Sequence, residues 1–254
     1  MKDSQRVLQH YAASEQAFVK EVLAIQQDVL QNSRLKITNF LSLREQEILL
    51  SIIGNSANII FYGGIEGCEK KIAFVSEYVI KNYKQNIMIL AITYHKKFGV
   101  LAHRDVLGAI LGLGIERGVI GDIVFDDACI YVAVRKNIAK YIIENLSKIG
   151  RQAVKVNEHQ GMVIKEEEQL QYKTIYVSSL RIDSLIAHTI PCNREHAKAL
   201  ITKELVQINW ATTRNINQIY RIGDIISVRK FGRIYIDNIV ETKRSRFKIE
   251  VRIT

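Results

Sequence analysis

The chain turns on the run Ser178-Ser179-Leu180-Arg181-Ile182-Asp183-Ser184-Leu185-Ile186, followed by Asn193-Arg194-Glu195-His196-Ala197-Lys198-Ala199-Leu200-Ile201. Leu180, Ile182, Leu185 and Ile186, then Ala197, Leu200 and Ile201, recur at three- and four-residue spacing. Two short helices are therefore predicted, each burying one face and leaving the other to water. Pro191, the only proline in the chain, separates them, and Asn193 supplies a good N-cap for the second. Arg181, Arg194, Lys198 and Lys203 fall off the apolar stripes, which gives a helix-turn-helix-like pair with a basic outer face. A short strand, Val206-Gln207-Ile208, then ends at Asn209-Trp210.

Charge is concentrated in the same region. The 254 residues carry 36 Lys and Arg against 26 Asp and Glu, a net +10. Residues 176–254 hold 14 basic and 7 acidic side chains, so under a third of the chain contributes +7 of that excess. A concentrated positive surface attracts a polyanion by counterion release and steering. Hydrophobic content of 48% argues against disorder. No apolar run of about 18 residues occurs, and Met1 to Arg6 lacks the apolar core of a signal peptide, so a soluble cytoplasmic protein with no membrane partner is expected. Cys68, Cys129 and Cys192 are odd in number and widely spaced, which indicates neither a disulfide framework nor a zinc site.

Upstream, one long helix is expected from Asp3 to about Gln31, broken by Asn32-Ser33. A second starts at Ser42-Leu43-Arg44-Glu45, where serine and glutamate have capping-box spacing, and runs to Ile53 before Gly54-Asn55. Strands are expected at Asn58 to Tyr62 and Ile72 to Val75, around Gly63-Gly64. From residue 85 the order is strand (Ile87 to Tyr94), helix (His103 to about Leu113), strands (Asp122 to Phe125 and Ile130 to Val134), helix (Asn137 to Ile149) and strand (Ala153 to Val156). That β-α-β-β-α-β order is the split βαβ of ferredoxin-like and RRM-like folds. Tyr94, Phe125 and Tyr131 are its aromatics on or near strands, and RNA contact by this sheet is left open. Glu166 to Gln171 reads as a polar joint.

The helix pair, the strand ending at Asn209 and Gly223-Asp224 together resemble an S4 RNA-binding domain. Asn209-Trp210 and the run Gly223-Asp224-Ile225-Ile226-Ser227-Val228-Arg229-Lys230-Phe231-Gly232-Arg233 are similar to the YlmH-like branch of S4 proteins. The runs Phe61 to Lys71 and His103 to Ile115 share that resemblance. Three positions depart from the pattern: Asn193 stands where serine is usual, and Glu204 and Lys230 where glycine is usual. The resemblance implies a bacterial protein that associates with the large ribosomal subunit and acts on obstructed subunits carrying peptidyl-tRNA, in ribosome-associated quality control.

Competing motifs are weaker. His103-Arg104-Asp105 has the lettering of a kinase catalytic loop, but Ile110 occupies the position where such a loop needs asparagine. Gly112, Gly114 and Gly118 close a helix, whereas a Rossmann turn opens one. Arg181-Ile182-Asp183 resembles the catalytic motif of pseudouridine synthases, yet here it lies within the S4-like segment, where Asp183 can cap or brace the helix against Arg194 or Lys198.

The expectation is an α+β protein of three small domains: an α/β domain over residues 1–84, an RRM-like domain over 85–165 and an S4 domain over 173–254. It binds structured rRNA, and tRNA as a second possible partner, without catalysis, metal or cofactor. Arg181, Arg194, Lys198 and Lys203 meet phosphates, Asn209 and Trp210 shape the adjoining turn, and Arg229, Lys230 and Arg233 extend the surface. An S4-linked RNA-modifying enzyme and a protein-interaction scaffold remain the alternatives.

Overall fold

The computed structural model describes residues 2–95, 97, 99–127, 129–166, 169–242 and 246–254. It is a mixed α/β structure whose described residues form seven α-helices and three sheets. The chain divides into two compact units, Met1–Glu166 and Glu167–Thr254. The boundary falls in the expected polar joint, of which Glu167 and Glu168 lie outside the described residues. Among the described residues no helix is long and apolar enough to cross a membrane.

In the first unit, helices α1 (Lys2–Leu8), α2 (Gln16–Asn32) and α3 (Leu43–Ile53) accompany strands β1 (Lys36–Leu41), β2 (Asn58–Tyr62) and β3 (Lys71–Ser76) in an antiparallel sheet ordered β1-β3-β2. The capping box is formed: Ser42 Oγ accepts from the Glu45 N–H, and the Glu45 carboxylate accepts from the Ser42 N–H at 2.7 Å. The single long helix expected from Asp3 is instead two. Glu15 makes the break, because its carboxylate accepts from the Ala12 N–H at 3.1 Å and from Arg44 Nε at 2.8 Å, tying the turn to α3. Ser33, at φ 50°, ends α2 where expected.

The remaining first-unit elements are β4 (Ile87–Tyr94), α4 (His103–Leu111), β5 (Ile120–Phe125), β6 (Ile130–Arg135), α5 (Lys136–Asn145), β7 (Lys148–Ile149) and β8 (Gln152–His159). Their sheet runs β5-β6-β4-β8-β7, all antiparallel. Helix α5 stops four residues short of the expected Ile149. Lys148 and Ile149 pair instead with Ala153 and Gln152 across Gly150, whose φ of 57° suits a tight hairpin.

The two sheets of this unit share a core. Leu90, Ile92, Ile130 and Val132 alternate toward the helices with Val106, Ile110 and Ile142. The other face, with Ile89, Val124 and Ala133, packs on Phe40, Ile65, Ile72 and Phe74. Behind these, Ala73 and Val75 meet Val22, Val29, Leu49 and Ile53 of α2 and α3. The layers are thus helix, sheet, sheet, helix. Gly121 permits the close approach, since a Cβ there would lie 2.6 Å from the Phe40 ring. Of the three aromatics noted in the sequence, Tyr131 packs on the side covered by the first sheet and Tyr94 on the helical side, while both line, with Phe125, one cavity of about 480 Å³.

In the second unit, β9 (Gln171–Val177), α6 (Ile182–Thr189), α7 (Arg194–Thr202), β10 (Val206–Ile208), β11 (Ala211–Thr212), β12 (Ile225–Val228), β13 (Gly232–Glu241) and β14 (Phe247–Ile253) form a six-stranded sheet ordered β11-β10-β12-β13-β14-β9 under the helix pair. Ile182, Leu185, Ile186, Ala197, Leu200 and Ile201, the stripe read from the sequence, are buried against Val206, Ile226, Ile234, Ile236, Ile249 and Val251. Each fully buried Ile or Leu contributes roughly 1.5–3 kcal/mol.

Candidate nucleic-acid interface

Helix α6 begins on a buried charge. Asp183, 0% exposed, accepts from Arg181 Nε at 3.0 Å and Nη2 at 3.1 Å, from Arg194 Nε at 3.0 Å and from the Ser184 N–H at 3.0 Å. Burial alone would raise its pKa, but hydrogen bonds and charge from the two arginines outweigh that and hold it below the ordinary carboxylate range. Arg181 is thereby committed through its fork, whereas Arg194, half-exposed, gives Asp183 only its Nε. Both arginines brace the helix pair, and Arg194 keeps its outer guanidinium edge toward solvent.

Helix α7 opens as expected: Asn193 Oδ1 accepts from the His196 N–H at 2.8 Å. It closes in a Schellman turn, with the Glu204 N–H bonded to Ile201 O and the Leu205 N–H to Leu200 O, both at 3.0 Å. Glu204 holds the left-handed position of that turn at φ 58°, and Lys230 holds another at φ 75° between β12 and β13. Both are positions where glycine is usual in the family pattern, and both carry a Cβ penalty.

These two turns face each other across a groove of about 500 Å³ lined by His196, Ala199, Leu200, Lys203, Leu205, Arg229, Lys230 and Phe231. The Arg229 N–H donates to Leu205 O at 2.9 Å and fixes the spacing of the two lips. Lys203, Arg229 and Lys230 are exposed, and their side chains make no ion pair among the described residues. The His196 and Phe231 rings meet edge-on at 6.5 Å, giving the apolar floor an aromatic corner. Such a groove offers cations to phosphates and ring faces to bases.

The other expected residues are placed differently. Lys198 is exposed on α7. Asn209 and Trp210, at φ 46° and 63°, form the two-residue hairpin loop between β10 and β11. Asn209 is a buttress: its Nδ2 donates to Asp224 at 2.8 Å and its Oδ1 accepts from the Ile225 N–H at 2.9 Å. Nothing in the structure explains a tryptophan at the second loop position. Arg233 alternates with the buried Ile234 and Ile236, so it belongs to the open face of the sheet and does not join the groove. His196 and Phe231 were missed, although Phe231 sits beside Lys230 in the quoted run. Among the described residues, no cluster of His, Cys, Asp or Glu could hold a metal ion.

Two substitutions separate strain from charge. Glu204→Gly removes a penalty of about 1 kcal/mol and only an exposed ion pair to Arg214, so the melting temperature should rise and RNA affinity should increase slightly. Lys230→Gly relieves the same kind of strain but removes a cation, so a thermal melt should show stabilisation while an RNA titration shows roughly fivefold weaker binding. A lowered melting temperature in both would contradict the backbone assignment.

A family model described as "Putative RNA-binding domain in YlmH" matches residues 81–162. Over 250 residues the chain is 30% identical to the "Ribosome-associated protein quality control protein P2" of Bacillus subtilis (strain 168), covering 96% of both proteins. It also resembles the solved structure of "Cell division protein ylmH from Streptococcus pneumoniae", with a TM-score of 0.51 and 21% identity over 59% of this chain and 94% of that one. The last is a likeness of fold. Thirty per cent identity along nearly the whole of both proteins is what decides the assignment: the chain belongs to the YlmH family.

Proposed function

We propose that the chain is a non-catalytic RNA-binding protein that works on ribosomes, and that its second unit is an S4 domain. The observation carrying this reading is the groove between α7 and the β12–β13 turn, where Lys203, Arg229 and Lys230 stand without ion-pair partners among the described residues, beside His196 and Phe231. Lys198 and the outer edge of Arg194 continue the basic surface along α7, and Asn209 holds the adjoining turn. Arg181 acts through Asp183, Trp210 shapes the hairpin loop, and Arg233 is a secondary contact on the sheet.

The proposal extends to organisation and place. Residues 1–84 are an α/β domain, 85–165 an RRM-like domain whose sheet is half covered by the first, and 173–254 the S4 domain. The RNA is structured rRNA or tRNA on the large subunit, in the cytoplasm, and the step served is quality control of obstructed subunits. The name of the Bacillus relative supports the ribosomal setting. Sedimentation of cell extract on a density gradient tests it. The protein should travel with the large subunit at low salt and leave it at high salt. Recovery at the top of the gradient under both conditions would refute the ribosomal assignment.

A further inference from the structure

The cavity that Tyr94, Phe125 and Tyr131 share lies within the first unit and has no part in the groove of the second. Its rim is apolar and open to solvent: Val100 and Met162 are 81% and 79% exposed, Ile164 59% and Phe125 41%. Four large hydrocarbon side chains thus gather in water at one opening, the mark of a surface that meets a partner.

The backbone imposes this exposure. The Glu66 N–H donates to Val163 O and the Lys165 N–H to Glu66 O, both at 2.9 Å, which sets Val163 in the core and turns Ile164 outward. Val124 is buried against the first sheet, so the same alternation turns out Phe125 at the end of β5. The Leu101 N–H donates to Tyr94 Oη at 3.4 Å and its side chain is buried, which leaves Val100 at the mouth. The rim is therefore held by anchored neighbours.

Charge selects what can cover it. Asp126, Asp127 and Glu166 are exposed and line the same cavity, and none of its described lining residues is Lys or Arg. Asp126 and Glu166 make no ion pair among the described residues. The turn that carries the two aspartates is closed by the Asp126 N–H donating to Cys129 O at 3.0 Å, and Asp126 Oδ1 accepts from the Asp127 N–H. In a chain of net charge +10 this mouth reverses the sign of the local field, so it repels phosphates and attracts cations. The rings of Tyr94, Phe125 and Tyr131 suit a guanidinium or an ammonium as well.

We propose that this cavity docks a segment of a partner protein in which Arg or Lys stands beside apolar side chains. The apolar side chains cover Val100, Met162 and Ile164, and the cation sits among the carboxylates and rings. The volume of about 480 Å³ falls within the roughly 300–1,000 Å³ usual for binding pockets. No residue of the RNA-binding groove takes part, so either reading can fail without the other.

The test uses the full chain with carbon-13 in its methionine methyl groups, since Met162 reports from the rim by nuclear magnetic resonance. The probes are synthetic peptides in which Arg or Lys stands one, two or three positions from Leu or Phe. Control peptides carry Glu for the basic residue or Ser for the apolar one. A saturable shift of the Met162 methyl is expected with the basic apolar peptides alone, and their affinity should fall as salt is added. Asp126→Asn with Glu166→Gln should weaken binding roughly fivefold, and Val100→Ser with Ile164→Ser roughly tenfold or more. Asparagine keeps the oxygen that the Asp127 N–H uses, and all four side chains are exposed, so melting temperatures should not change. A Met162 methyl that answers none of the peptides, or answers the control peptides equally, overturns the proposal. So does the same shift from arginine amide alone, from structured RNA or from raising the protein concentration, which would make the occupant a small cation, a nucleic acid or a second copy of the chain.

Discussion

Asp183→Ala is expected to lower the unfolding free energy of the second unit by about 3 kcal/mol, the low end of the cost of breaking a buried ion pair. Its two partners are partly exposed and can regain water, which keeps the loss from being larger. Arg194→Ala should cost less, about 1–2 kcal/mol, since the Arg181 fork still answers the carboxylate. The pH dependence has a definite sign. Because the folded pKa of Asp183 lies below the unfolded value near 4, its stabilisation is complete above about pH 4 and is lost as pH falls through the lowered folded value. Denaturant titrations at neutral and acidic pH measure both effects. Equal acid sensitivity in wild type and Asp183→Ala would show that this carboxylate carries no such linkage.

Truncating Lys203, Arg229 and Lys230 together to alanine is expected to weaken binding of structured RNA by roughly 100-fold, at about 1 kcal/mol for each phosphate contact. All three side chains are exposed, so little packing is removed, and alanine keeps the Cβ at position 230, so the left-handed strain there is unchanged. The melting temperature should change little. Arg233→Ala, on the other face of the sheet, should reduce affinity far less. Equal losses from both would mean that affinity follows net charge and that the groove has no special role.

Much of this architecture could be read from local pattern. The Ser42–Glu45 box, the stop at Ser33, strand β4 and both helices of the second unit depend on neighbours within a turn or two, and each lies where its residues predict. The misplaced boundaries depend on distant partners. Ala12-Ala13 favours a continuous helix, and the break there is enforced by Glu15 reaching Arg44. Strand β1 has no clean alternation because its pairing with β3 shifts register between Ile37 and Phe40. Helix α5 loses its last residues to a hairpin that only the later strand provides.

The site divides in the same way. Basic residues off an apolar stripe were legible, as was the importance of Asn209 in its turn. Of the two partners that the sequence offers Asp183, namely Arg194 and Lys198, the structure selects Arg194, and it adds Arg181, whose return to a carboxylate buried between two helices spacing alone does not fix. Arg233 could have been separated from the groove by its period-two relation to Ile234 and Ile236. Glu204 and Lys230, departures from a glycine pattern, proved to sit in the backbone conformation that glycine would favour.

The salt dependence of RNA affinity tests the central claim most directly. If Lys198, Lys203, Arg229 and Lys230 each displace one phosphate counterion, log K against log salt for the wild-type chain on structured RNA should fall with a slope of roughly −3 to −4, taking duplex RNA to behave as DNA does. An affinity that does not change with salt would contradict the account.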